Sequence, residues 1–149
     1  MKYKQGFSEF FIDGKNFKKA TAALRDHVIE LCNSQNPPPG MSYFKRVLRD
    51  DETDYADFES YMMGFGWSLR TQIGINGYIG IAYEPIGFVS GDDSLEVLNI
   101  IAPYIKAGSY IEMSDSESRW RHYFDGSRCI KEVPEITWIP AQEPDYEKE

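Results

Sequence analysis

The feature that most constrains the fold is the alternation of apolar and polar side chains over residues 110–124, YIEMSDSESRWRHYF. Apolar residues at every second position predict two short strands that each bury one face. A four-residue loop at 115–118 keeps the alternation in phase across both strands, whereas a three-residue loop would set an apolar residue opposite an arginine. The sequence therefore predicts a hairpin in which Met113 pairs with Trp120.

This register gives the hairpin two different faces. The inner face carries Ile111, Met113, Trp120, His122 and Phe124. On the outer face Glu112 pairs with Arg121 and Tyr110 with Tyr123, with Arg119 beside them. Such a face is either a recognition surface or an ordinary solvated sheet face. The candidate binding residues are Tyr110, Glu112, Arg119, Arg121 and Tyr123, together with His122 on the inner side.

Apolar residues spaced by three and four predict helices over residues 17–32, 54–63 and 92–106. The wide apolar arc of the last helix indicates a central position in the domain, and Pro103 should end or kink it near Ala102. The three consecutive prolines of NSQNPPPG, residues 33–40, predict an irregular connector.

Aromatic and β-branched residues predict the strands. These lie at residues 3–12, 41–48, 67–73, 78–83, 128–133 and 136–139, with a helical turn as the alternative at 41–48. Asn76-Gly77 is a strong signal for a hairpin turn, the strand at 128–133 should be an edge strand or bulged, and Trp138 should face inward. The predicted fold is a single α+β domain over residues 1–140, with a mainly antiparallel twisted sheet, about three helices and a charged flexible tail at 141–149.

Charge is distributed unevenly along the 149 residues. Residues 1–49 carry a net charge of +5 and residues 50–149 a net charge of −13, which gives the total of −8. An acidic total disfavours direct nucleic acid binding, because that affinity depends on lysines and arginines that neutralise phosphates. It favours a protein partner with a basic surface, and simple solubility is the alternative reason for the acids.

Known catalytic motifs are absent from the sequence, which favours a protein that is not an enzyme. Neither a metal site nor a cofactor is expected, and Cys32 and Cys129 are expected to be free thiols, with a single long-range disulfide as the alternative. An enzyme or small-molecule-binding module remains the alternative, with a pocket near Trp67, Trp120 and His122 or a dyad of His122 and Cys129.

The chain lacks an apolar run of membrane-spanning length, and residues 1–12 lack the pattern of a secretory signal. These features predict a cytoplasmic protein, bacterial or, if phage-encoded, in the host cytoplasm.

The run APYIKAGSYIEM…WRHYFDG…ITW, preceded by FFIDGKNFKKA and GW…NGYIGI, resembles a group of small uncharacterised bacterial proteins that are often associated with mobile elements. The resemblance spans most of residues 7–138 and implies a shared fold without an established activity. This chain has SDSES where a Gly-Glu-Asp-Gly turn is usual in that group, and it adds the three prolines. The resemblance therefore does not imply, for this chain, a function that depends on that turn.

Taken together, the sequence predicts a small acidic binding protein that acts through protein–protein interaction, such as an immunity protein or an inhibitor of a defence system carried by a phage or mobile element. Its oligomeric state does not follow from the sequence.

Overall fold

The computed structural model describes residues 4–38, 40–50, 54–71, 79–83 and 92–142. Within these residues the chain forms four α-helices and two antiparallel sheets, which confirms the predicted α+β class. The helices are α1 (Phe17–Cys32), α2 (Met41–Asp50), α3 (Asp54–Gly64) and α4 (Asp92–Ile101). The strands are β1 (Lys4–Glu9), β2 (Trp67–Thr71), β3 (Ile79–Tyr83), β4 (Tyr110–Ser114), β5 (Arg119–Phe124) and β6 (Cys129–Glu132).

The larger sheet has the strand order β1-β4-β5-β6, and β2 pairs with β3 in the smaller one. Strands β4 and β5 pair with the predicted register, which sets Met113 opposite Trp120 and Glu112 opposite Arg121. Strand β6 lies at the edge of the sheet, as predicted. The predicted turn at 76–77 lies outside the described residues, as do 143–149 of the predicted tail.

Strand β1 is shorter than predicted, and it is irregular. One extra residue lies between Gln5, which pairs with Met113, and Ser8, which pairs with Ile111. The Gln5 side chain donates a hydrogen bond to the Ile81 carbonyl and accepts one from the Tyr83 N–H. Both groups belong to β3, so a single side-chain amide links the two sheets.

One core contains buried side chains from all four helices and from both sheets. Helix α1 contacts each of the other three helices and buries Ala20, Leu24 and Val28 of its predicted stripe. Helix α1 therefore takes the central place that the sequence analysis assigned to residues 92–106. That later segment does end as predicted: α4 stops at Ile101 and a short 3-10 turn contains Pro103.

The prediction of a strand at 41–48 is wrong, because this segment is helix α2. Its buried residues Met41 and Phe44 are three positions apart, and Leu48 packs against the core one turn further on. The last residue of α3, Gly64, allows α2 to approach closely. A β-carbon there would lie 2.5–2.6 Å from the Phe44 ring, which leaves no room for a larger residue.

The prediction of a strand at 136–139 with Trp138 inward is also wrong. Residues 133–142 have no regular secondary structure, and Trp138 is 94% exposed. Pro134 removes a backbone donor two residues after β6 ends, and a proline is unfavourable for continuing a paired strand. The chain therefore leaves the sheet at Glu132.

Candidate functional site

Strands β4, β5 and β6 are joined by two loops of the same design. Each loop begins with an aspartate whose Oδ1 accepts hydrogen bonds from two backbone N–H groups, those of Glu117 and Ser118 for Asp115, and those of Ser127 and Arg128 for Asp125. These bonds hold the pKa of both carboxyl groups below its ordinary value. The short polar side chain completes each turn locally, as is typical of Asx turns.

The outer face of the sheet is centred on Arg121. Its guanidinium lies 5.5 Å from the centre of the Tyr110 ring and 5.7 Å from that of Tyr123, so the cation contacts two aromatic rings. Its Nε donates a hydrogen bond of 2.6 Å to Glu132 Oε1, and this bond raises the pKa of Arg121. The side chain is thus held in place while it remains partly exposed.

A second and looser ion pair lies beside the first. Arg119 Nη2 is 3.6 Å from Glu112 Oε2, and the arginine is largely exposed. Glu112 lies over Gly6 of β1, where an added β-carbon would be 3.1 Å from Glu112 Oε2. The glycine in the irregular part of β1 therefore provides the space in which Glu112 lies.

These charged residues line an open cleft of about 270 Å³. Its lining residues are Glu112, Arg119, Trp120, Arg121, Glu132, Val133 and Pro134. The structure thus brings three of the predicted binding residues, Glu112, Arg119 and Arg121, to one concave site. Tyr110 and Tyr123 flank Arg121 on the same face.

Three residues of the cleft were missed by the sequence analysis: Glu132, Val133 and Pro134. A signal for Glu132 was present, since a four-residue loop starting at Asp125 sets Arg121 opposite Glu132, by the reasoning that gave the first hairpin. The positions of Val133 and Pro134 depend on where the chain leaves the sheet, and no local pattern indicates that point.

His122 lies on the inner side, as predicted, and is almost fully buried. Trp120 Nε1 donates a hydrogen bond of 3.1 Å to His122 Nε2, which requires that nitrogen to be unprotonated. Burial lowers the pKa of His122 to about 4, and the charge of Lys131 adds to this effect. The Lys131 ammonium itself lies 5.0 Å from the centre of the Trp120 ring. His122 is therefore a neutral structural acceptor at neutral pH.

The electrostatics of His122 and Cys129 are the opposite of those of a catalytic dyad. Burial raises the pKa of Cys129 to about 12, so the thiol stays protonated while His122 is a weak base. In the sheet Cys129 pairs with Phe124 and His122 with Lys131, so the two residues are diagonal neighbours and not directly opposite each other. Both Cys32 and Cys129 are free, as predicted.

A pocket was predicted near Trp67, Trp120 and His122, but the contacts of Trp67 lie elsewhere. Trp67 is fully buried in the smaller sheet, where its Nε1 donates a hydrogen bond to the Ser94 carbonyl and its ring packs on Tyr83. The cleft is lined by Trp120, without Trp67 or His122.

From the wall of the cleft onward, four large apolar side chains are exposed to solvent. Val133 is 72% exposed, Ile136 81%, Trp138 94% and Ile139 77%. We call residues 133–140 the apolar segment. Scattered apolar residues are common on protein surfaces, but four within seven positions form a continuous exposed stretch.

Among the described residues, no three histidine, cysteine, aspartate or glutamate side chains form a group that could hold a metal ion. None of the described helices is long and apolar enough to cross a membrane. Comparisons with protein-family models, with curated proteins and with solved structures gave no match to this chain.

Proposed function

We propose that this protein acts by binding another protein through the outer face of its larger sheet, as an immunity protein or an inhibitor of a defence system would. The observation that carries the proposal is the arrangement of Arg121 between Tyr110 and Tyr123 at the mouth of the cleft. Arginine and tyrosine are among the residues most enriched at the energetic centres of protein interfaces. Held by Glu132, Arg121 would lose little conformational freedom on binding.

The chemistry of the site favours binding over catalysis. The two glutamates of the cleft face arginines, and the nearest histidine is buried on the other side of the sheet as a neutral acceptor. Tyr123 and Arg121 offer planar surfaces that suit contact with a protein surface.

The charge of the chain supports a basic partner. A net charge of −13 over residues 50–149 attracts a positively charged surface over long range and accelerates encounter. A protein that itself binds nucleic acid is one kind of partner with such a surface.

The test is a capture experiment from a bacterial lysate at about 0.05 M and about 0.5 M salt, where electrostatic attraction is respectively weakly and strongly screened. We expect a protein that binds at low salt and is released at high salt. Arg121→Ala and Tyr123→Ala should each abolish its capture. Arg49→Ala removes a similar charge from α2 and should leave capture unchanged. A partner retained equally by all variants, or none in repeated trials, would contradict the proposal.

The second candidate is a small-molecule-binding module, and the cleft itself is the observation that favours it. Its volume of about 270 Å³ is just below the range of about 300–1,000 Å³ usual for ligand sites. An anionic ligand would compete with the two glutamates for Arg119 and Arg121, so Glu132→Gln should strengthen its binding. Isothermal titration of wild type and this variant with candidate anions distinguishes this function from protein binding.

A further inference from the structure

The apolar segment begins where edge strand β6 ends and has no regular secondary structure within the single chain. Its composition nevertheless suits a strand, because the four residues 136–139 read Ile-Thr-Trp-Ile, all β-branched or aromatic. A strand needs a partner to satisfy its backbone groups, and each of residues 133–142 is exposed to solvent. Among the strands that the structure describes, none pairs with this segment, and a second chain can provide one.

The order of residues within the segment indicates which partner fits. In the sequence Pro-Glu-Ile-Thr-Trp-Ile-Pro, residues 134–140, the two prolines and the large apolar pair Ile136 and Trp138 are symmetric about Thr137, whereas Glu135 corresponds to Ile139. If two copies pair antiparallel around a two-fold axis at Thr137, Ile136 of each copy lies opposite Trp138 of the other. Pro134 then lies opposite Pro140. This reciprocity is what a two-fold interface between identical chains requires.

The prolines fit the same register. In an antiparallel pair, residue pairs alternate between hydrogen-bonded and non-hydrogen-bonded positions. When the two Thr137 residues form a hydrogen-bonded pair, the prolines three residues away on either side fall at non-hydrogen-bonded positions. A missing N–H costs nothing there. Pro134 and Pro140, which prevent the segment from continuing its own sheet, are thus compatible with this pairing.

We infer that the apolar segment binds the same segment of a second copy of this chain, forming an antiparallel ribbon centred on Thr137. One side of the ribbon would carry Ile136 and Trp138 of both copies. The two tryptophan side chains would contribute at most roughly 300–500 Å² of buried area, since a fully buried one covers about 150–250 Å². That is about a fifth to a third of a standard interface of about 1,600 Å², and Val133, Ile139 and the paired backbones add to it. The expected dimer is a weak one.

The charge of the chain makes this association respond to salt differently from the binding proposed above. The inference does not rest on that proposal. Each copy carries a net charge of −8, so two copies repel each other, and salt should strengthen the dimer by screening this repulsion. Binding to a basic partner through the outer face should instead weaken with salt. The two interactions therefore have opposite salt dependences.

The first test measures the mass of the full chain by analytical ultracentrifugation from about 1 μM to about 1 mM, the range in which weak interfaces associate. We expect the mass to rise from 17.2 kDa towards twice that value, and to rise further with salt. Trp138→Ala should remain a monomer throughout. Phe7→Ala removes another exposed aromatic ring, on β1, and should dimerise like the wild type. A mass that stays at 17.2 kDa, or dimerisation unaffected by Trp138→Ala, overturns the inference.

The second test checks the register by disulfide cross-linking in a background of Cys32→Ser and Cys129→Ser. Thr137→Cys should cross-link to itself, because paired residues at the axis have Cα atoms about 5.5 Å apart, within disulfide range. Glu135→Cys alone should not, because its two copies would lie roughly 13 Å apart at 3.3 Å per residue. A mixture of Glu135→Cys and Ile139→Cys chains should give the mixed dimer.

Equal cross-linking at all positions would indicate random collision and would overturn the register. If the cysteine-free background fails to fold, the same variants are made with both native cysteines present. The cross-linked peptides are then identified by mass spectrometry after digestion, so the outcome still decides the register.

Discussion

Trp120 and Trp138 lie in segments with similar strand-forming sequences, yet Trp120 is 5% exposed and Trp138 is 94% exposed. Trp120 lies in β5, between two paired neighbours, and its indole N–H has an acceptor in His122. Trp138 lies between two prolines and beyond the last strand of its sheet. The comparison shows that residue type and alternation favour a strand, but burial requires a partner strand on at least one side.

Replacing each tryptophan with alanine should give the largest difference in stability between the two positions. Trp120→Ala should lower the free energy of unfolding by about 3–5 kcal/mol, because it leaves a cavity and deprives His122 of its donor. Trp138→Ala should change it by no more than about 0.5 kcal/mol, as is usual for exposed positions. Urea unfolding at low protein concentration, where the chain is monomeric, measures both. Comparable losses for the two variants would show that residues 133–140 fold against the domain in solution.

The pH dependence of stability should show how well the inner face around Trp120 excludes water. The folded pKa of His122 is about 4 and its ordinary value is 6.5, so between these values the unfolded chain binds a proton that the folded chain does not. Stability therefore falls as pH decreases through this window, by about 2 kcal/mol between pH 7 and pH 5.

His122→Gln keeps an acceptor near Trp120 and cannot titrate, so the difference in unfolding free energy between the two proteins isolates this effect. We expect the variant to lose less stability than the wild type between pH 7 and pH 5. Parallel pH profiles would mean that His122 is accessible to water and protonates in the folded state.

The smallest expected effects lie on the outer face, where solvent screens the charges. A double-mutant cycle of Arg121→Ala and Glu132→Ala should give a coupling energy of about 0.2–1 kcal/mol, with a smaller value for Arg119 and Glu112 because that pair is longer and more exposed. Both couplings should decrease with salt. A larger coupling energy for Arg119 and Glu112 than for Arg121 and Glu132 would contradict this prediction and would mean that the Arg119 pair is the more rigid one.

The sequence predicted the register of β4 and β5 because the alternation and the loop starting at Asp115 are both local. The strand prediction failed at residues 41–48, where a short apolar set fits either a strand or a helix, and packing of Phe44 against Phe65 in the core favours the helix. The face carrying Arg121 was predictable for the same local reason as the hairpin. The cleft was not, because its wall at Val133 and Pro134 depends on where the chain leaves the sheet.

The side chain of Gln5, which joins the two sheets through Ile81 and Tyr83, has a consequence for how the molecule opens. In the described residues, the side-chain amide of Gln5 connects β1 to β3, and the two strands do not form a ladder of backbone hydrogen bonds. We expect the β2–β3 hairpin to exchange its amide hydrogens with solvent as a separate unit, at a lower opening free energy than β4 and β5. The exchange rate of the Tyr83 amide hydrogen would report directly on the contact between the two sheets. Its acceptor is the Gln5 side chain, which can rotate away while every strand stays paired.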